Sequence, residues 1–325
     1  MNPSIVIGIE GLELTASDEK RLTSSLVAGV ILFSRNYDSP TQLKKLTQAL
    51  KQKNPNFRVM VDQEGGRVMR FREGFSAIPP MSDFGKLLDD QGYDIALAET
   101  QRWGALMAAE LMACGVDLSL SPVVDLGVNQ EVIGNRAFHT DPYKVTVLAR
   151  AWIAGMRQSG MQSVLKHFPG HGSVQGDTHR SYLKDSRSLE RLLAEDLPPF
   201  EQLIRSGDAD FVMVNHVIYP AIDALPAGFS PAWIGQILRE RLRFKGVVMS
   251  DDLGMQAAKV SKDPTEPVRA ALRAGCDLVL LCNEFAVMDE VLKKGVSERS
   301  TPQAINSAAI KAPHRWVSAN AMSYP

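Results

Sequence analysis

Cysteine is scarce in this chain of 325 residues. The three present, Cys114, Cys276 and Cys282, lie in or beside apolar stretches. An odd count without regular spacing excludes a disulfide framework and suits a reducing compartment. Long hydrophobic runs are also missing, since none reaches the ~18 uninterrupted apolar residues of a membrane helix. The first residues hold no basic segment followed by an apolar one and a small-residue cleavage site, so a secretory leader is not expected. Neither charge is in surplus: 36 Lys and Arg stand against 37 Asp and Glu. No net field points to nucleic acid or an anionic membrane surface. Neither the G-x-x-x-x-G-K-[ST] pattern nor a strand-linked G-x-G-x-x-G occurs, and no organic cofactor is expected. What remains is a cytoplasmic protein whose partner is a small molecule.

Apolar residues are plentiful at 45%, and the length exceeds the roughly 250 residues typical of one (β/α)8 barrel. Apolar runs of strand length recur at 5–9, 29–33, 57–61, 118–124, 162–165, 211–214, 247–249 and 278–282. Amphipathic helical patterns lie between them at 41–51, 95–114, 144–159, 230–241 and 266–274. Near-continuous apolar strands alternating with helices indicate a parallel sheet covered by helices. Eight such units predict an α/β fold, a single (β/α)8 TIM barrel over residues 1–325, with an open doubly wound sheet as the alternative. A barrel of this size needs no second copy to complete its core, so a monomer is expected.

Polar residues gather where these runs end: Asp62, Asp125, Lys166 and His167, Asn215 and His216, Asp251 and Asp252, and Asn283. In barrels the active site is built from the C-terminal strand ends and the loops after them. Two loops, 63–82 and 168–182, are long and rich in turn residues, and long loops in compact domains are more often functional than idle. The first carries Arg67, Arg70 and Arg72, and the second His171, Asp177 and His179.

The segment ILRERLRFKGVVMSDDLG at 237–254 resembles the nucleophile region of glycoside hydrolase family 3, and KHFPGHG at 166–172 with Asp177-Thr178-His179 resembles the acid/base loop of its NagZ-type β-N-acetylglucosaminidases. ILFSRN at 31–36, VDQEGGRVMRFREGF at 61–75, SPVVD at 121–125, GNRAF at 134–138 and NHVIYP at 215–220 extend the likeness in the family's order. The tail after Asn283 carries none of it and is assigned only to closing helices and packing. The resemblance implies Asp251 as nucleophile, His179 as proton donor and acceptor, and Asp177 as the group that orients and charges His179. It implies that Asp62, Arg70, Arg136, Lys166 and His167 bind an N-acetylglucosamine unit. It also implies a retaining exo-β-N-acetylglucosaminidase acting on N-acetylglucosaminyl-1,6-anhydro-muropeptides in cell-wall recycling.

The chemistry fits these residue types. A retaining glycosidase needs an anion below the anomeric carbon and a proton source at the leaving oxygen. Imidazole, titrating near pH 6.5, can give and retake a proton, with Asp177 favouring its charged form. Plainer readings remain beside this one. Asp251 can cap a following helix, and Asp252 competes with it, the more natural role for Asp252 being support of the turn. His167, His171, His179 and Asp177 have the look of a zinc set, but Pro169 and Gly170 break the helix that histidines four apart would need, so no metal is expected. Lys166 could be a Schiff-base lysine of a lyase. A phosphorolytic relative, a non-catalytic sugar sensor and attack by the substrate's own acetamido group are the further alternatives.

Overall fold

The computed structural model describes residues 4–174, 183–258, 261 and 263–296. Its frame is eight short strands: β1 Ile5–Gly8, β2 Val27–Leu32, β3 Arg58–Val61, β4 Leu118–Ser119, β5 Val164–Phe168, β6 Phe211–Val214, β7 Val247–Asp252 and β8 Leu278–Leu281. They pair in the order β4-β3-β2-β1-β8-β7-β6-β5, always in parallel. The two ends of that order meet beyond β4. Val123 bridges Lys166, Val124 N–H donates to Lys166 O (2.9 Å), and Val164 N–H donates to Ser121 O (2.8 Å). The sheet closes on itself, and the fold is the (β/α)8 barrel.

Strand alternation sorts the core into two compartments. Val6, Ile31, Met60, Phe211, Met213, Val247, Met249, Leu278 and Leu280 share one buried cluster, the barrel interior. Their neighbours Ile5, Ile7, Val30, Val59, Val61, Val212, Val214, Val248 and Val279 belong to the larger cluster beneath the helices. Both faces of most strands are therefore apolar, which is why the runs read as continuous rather than alternating.

The crossover helices are α1 Ala16–Leu22, α2 Pro40–Lys53, α3 Met81–Gln91, α4 Tyr93–Ala113, α5 Pro142–Gln158, α6 Leu189–Ala194, α7 Pro198–Arg205, a π-helix Ala232–Arg241, α8 Glu266–Ala274 and α9 Phe285–Lys294. Several begin on side-chain caps: Thr15 with Asp18 in a capping box, Ser39 ahead of Pro40, and Asp141 ahead of Pro142. The helical patterns found in the sequence are all helices here, and α9 is a closing helix after Asn283, while α1, α3, α6 and α7 were not anticipated. Most of these are short, with α1, α6 and α7 spanning only six to eight residues, too few for periodicity to declare itself. The run at 118–124 is also less regular than expected. β4 itself is only Leu118–Ser119; beyond it Leu120 N–H donates to Val61 O (2.8 Å), Pro122 has no N–H to offer, and Val123 bridges Lys166.

α4 and α5 approach closely through Gly104 and Gly155. A Cβ on Gly155 would sit 2.0 Å from Gln101 O and 2.7 Å from Ala105 N, both backbone atoms that cannot step aside alone. Gly155→Ala should force the helices apart and destabilise the protein by about 1–3 kcal/mol. Denaturant unfolding measures this directly, and an unchanged midpoint would show that the contact is softer than its geometry implies.

Candidate active site

The C-terminal rim of the barrel gathers a charged network. Asp62 follows β3 directly, and two residues further, in a small hairpin (Gln63–Gly65 with Val68–Met69), comes buried Glu64. Lys166 on β5 reaches across to both, with Nζ 2.8 Å from Asp62 Oδ1 and 2.5 Å from Glu64 Oε1. Arg136, in the 3-10 turn Gly134–Arg136, grips Glu64 with two bonds of 2.8 Å. Arg70 approaches the other oxygen of Asp62 at 3.2 Å and lies 5.6 Å from the Phe33 ring centroid. Arg67 and Arg72, by contrast, are exposed.

Burial alone would raise both carboxyls. For Glu64 the Arg136 and Lys166 charges outweigh it and bring the group down to about 2. For Asp62, Lys166 and Arg70 push it further below the carboxylate range. Arg136 is likewise opposed by burial but raised by Glu64 and Asp62. Lys166 between two carboxylates is arranged as a hydrogen-bond donor, not as a lyase nucleophile.

His167 follows Lys166 within β5, so both lie inside the strand rather than just after it. Its Nδ1 is 2.6 Å from Asp125 Oδ2, and Nε2 is 3.5 Å from Arg136 Nη2. If Nδ1 carries the proton, Nε2 accepts from Arg136. Asp125, fully buried, also accepts the His171 N–H at 2.8 Å. Burial pushes the Asp125 carboxyl up, but His167 and His171 bring it below its ordinary value, whereas burial lowers His171. The turn beyond His167 is held from β6: Asn215 Nδ2 donates to His167 O (3.1 Å) and Tyr219 Oη to Gly170 O (2.6 Å). Gly172 admits no side chain, because a Cβ there would meet Leu126 O at 1.9 Å. His216 is buried and stacks on Phe229 with ring centroids 5.3 Å apart.

Asp251 and Asp252 end β7, both half-buried. Asp251 Oδ1 accepts the Asp252 N–H at 2.8 Å, and its negative charge reaches His171, raising that imidazole against the effect of burial. The Asp252 carboxylate instead accepts N–H bonds from Gly254 (3.0 Å) and Cys282 (3.1 Å). Burial pushes it up despite those bonds. Asp177 and His179 lie outside the described residues. The chain entering that segment is tied by Asn129 to Val174 O, and the chain leaving it by Ile218, whose N–H meets Leu183 O at 2.9 Å.

Of the residues picked out from sequence, Asp62, Arg70, Arg136, Lys166 and His167 therefore meet in one network. Glu64, which helps hold it together, was not singled out, and Asp125 was noted only as a polar strand end, without a role. Glu64 was within reach, because Asp62 and Glu64 are two apart in extended chain and so share a side. That Asp125 meets His167 required knowing that β4 and β5 close the barrel. Among the described residues no group of three or more His, Cys, Asp or Glu side chains is placed to hold a metal ion.

The sequence profile described as Glycosyl hydrolase family 3 N terminal domain matches residues 6–312. The chain belongs to glycosyl hydrolase family 3. Within the family it is similar to the beta-hexosaminidase of Hydrogenovibrio crunogenus, 48% identical over 295 residues, 89% of this chain and 81% of that protein. The beta-hexosaminidase of Stenotrophomonas maltophilia strain K279a is 48% identical over 308 residues, 94% of this chain and 89% of that one. The crystal structure of NagZ from Neisseria gonorrhoeae in complex with N-trifluoroacetyl-D-glucosamine superposes with a TM-score of 0.86 at 42% identity, covering 92% of this chain and 87% of that one. This family 3 chain is thus a glycoside hydrolase on a (β/α)8 barrel.

Glu64 offers a direct test of the network. Its folded value of about 2 lies below the ordinary 4.5, so its contribution is present in full above about pH 4.5 and is lost as pH falls toward about 2. Glu64→Gln should cost about 3–5 kcal/mol at neutral pH, by leaving Arg136 and Lys166 short of a counter-charge. The gap to wild type should narrow below pH 4.5, as followed by urea unfolding across pH. A gap independent of pH would show that packing, not charge, is what Glu64 supplies.

Proposed function

We propose that the protein is a retaining exo-β-N-acetylglucosaminidase, a β-N-acetylhexosaminidase that removes terminal N-acetylglucosamine through a covalent intermediate on Asp251. The observation that carries this reading is the polar set at one barrel rim: Asp62, Arg70, Arg136, Lys166 and His167 tied into one network, with Asp251 on the same rim at the end of β7. Charged donors and acceptors fixed in a low-dielectric rim suit the hydroxyls and acetamido group of a single sugar. Asp251, on a rigid strand end, supplies the anion that an oxocarbenium-like transition state requires. His179, with Asp177 beside it in sequence, protonates the leaving oxygen and then takes a proton from water. The gonococcal relative's complex with N-trifluoroacetyl-D-glucosamine supports an N-acylated glucosamine in this site.

The natural substrate on this reading is an N-acetylglucosaminyl-1,6-anhydro-muropeptide, met during cell-wall recycling by a monomer in the cytoplasm. Three buried cysteines, none of them paired in a disulfide, suit that reducing compartment. No helix among the described residues is long and apolar enough to cross a membrane. The reading treats residues 1–325 as one catalytic domain, in keeping with the family match over residues 6–312.

Release of a chromogenic phenol from its β-N-acetylglucosaminide and from its β-glucoside tests the activity, with and without phosphate. The glucosaminide alone should turn over, at a rate phosphate does not change. Asp251→Ala should abolish turnover, and His179→Ala should lower it by about 10²–10⁴-fold. A slow fluorinated substrate should leave a glycosyl adduct on Asp251. Full activity in Asp251→Ala would remove the mechanism, and acceleration by phosphate would replace hydrolysis with phosphorolysis.

A further inference from the structure

The pairing of β7 with β8 is irregular where the proposed nucleophile sits. Leu278 lies opposite Met249, but Leu280 lies opposite Asp252, so three residues of β7 are accommodated against two of β8. The extra residue falls at Ser250–Asp251, a bulge of the kind that re-aims a side chain and leaves part of the ladder unmade. Two side chains occupy the places where ladder acceptors would be. Ser250 Oγ accepts the Leu280 N–H at 3.1 Å. Asp252 Oδ1 accepts the Cys282 N–H at 3.1 Å and turns back to accept the Gly254 N–H at 3.0 Å. The backbone ladder resumes only afterwards, with Leu253 N–H donating to Leu280 O at 2.9 Å.

The β8 end is itself held from β2. Arg35 donates through Nη2 to Cys282 O (3.2 Å) and through Nη1 to Asn283 Oδ1 (2.6 Å), while its Nε donates to Ile9 O beyond β1 (2.9 Å). The rim of β1, β2, β8 and β7 is thus linked from Arg35 to Asp252. The last link reaches the reacting group, since Asp252 N–H donates to Asp251 Oδ1 at 2.8 Å.

We propose that Ser250 and Asp252 are positioning residues for Asp251: their side chains hold the bulge open in one conformation and thereby fix the direction of the Asp251 carboxylate. This rests on the reading of Asp251 as nucleophile. A bulge without those two acceptors would leave the buried N–H groups of Leu280 and Cys282 unpaired, and β7 would shift register to satisfy them. Such a shift moves Asp251 relative to a sugar held by Asp62, Arg136 and Lys166 on the opposite side of the rim. Binding would persist while the attack geometry degrades.

The test compares Ser250→Ala, Asp252→Ala, Asp252→Asn and Asp251→Ala on a chromogenic β-N-acetylglucosaminide, with the unfolding midpoint of each variant recorded. Because both backbone bonds to Asp252 go to one oxygen, Asn can retain them without the charge. Ser250→Ala and Asp252→Ala should lower kcat by about tenfold to a hundredfold, with KM within about threefold of wild type, the scale expected for small misplacement of a reacting group. Asp252→Asn should restore most of that loss. Wild-type kcat in folded Ser250→Ala and Asp252→Ala, beside an inactive Asp251→Ala, would overturn the positioning role while leaving the nucleophile reading intact. An Asp252→Asn as impaired as Asp252→Ala would also overturn it, because charge rather than hydrogen bonding would then be what Asp252 contributes. Activity in Asp251→Ala would instead mean that the underlying reading had failed.

Discussion

The site side of the rim depends on a chain of alternating buried charges, in which Lys166 is shared by Asp62 and Glu64 while Arg136 holds Glu64 from the other side. Removing such groups from water costs several kcal/mol each, and the cost is offset only when every charge has a partner in good geometry. The arrangement is therefore cooperative: no member can be moved without stranding another. It also lies where the barrel most needs bracing. β4 has two ladder residues, and closure against β5 relies on an isolated bridge at Val123 and Lys166. The lysine that completes the backbone seam also carries the side-chain network across it.

That double duty explains why the two sides of the rim are built differently. Around β3, β4 and β5 the side chains are buried and paired, and Asp125 couples His167 to the backbone of His171. On the proposed reading, a sugar meeting these groups finds donors and acceptors already oriented, which limits the reorganisation needed as charge develops. Across the rim, β7 departs from regular pairing, and side chains rather than carbonyls complete its contacts with β8. β5 also shifts register against β6 between Leu165 and Phe168, so Lys166 and His167, like Asp251, sit where strand pairing is irregular.

The placement of Asp252 illustrates how two adjacent carboxylates acquire different work from one strand end. Asp252 has its charge turned to backbone N–H groups, where it satisfies the bulge. Asp251, beside it at the end of β7, lies within electrostatic reach of His171. Alternation alone assigns the two to opposite faces without saying which is inward. The hydrogen bonds from Gly254 and Cys282 to Asp252 are what tell the two carboxylates apart.

The eight apolar runs could be read from sequence because a barrel strand buries both faces, and that double burial demands near-continuous Val, Ile, Leu and Met over a strand's length. α2, α4 and α5 were legible for a similar reason, through amphipathic patterns sustained over several turns. Short helices such as α1, α6 and α7 were not, since their stability comes from the barrel beneath them rather than from local pattern. Asp62, Arg70, Arg136, Lys166 and His167 could be picked out through a family resemblance, but their pairing could not. Which carboxylate meets which cation depends on β3 and β5 lying near each other across a seam, although Asp62 and Lys166 are far apart along the chain. Sequence alone determined the eight barrel strands and the residues proposed to carry the chemistry. Only the closure of the sheet decided that Glu64 and Asp125 complete the network, because both act on groups that the chain brings near them in space alone.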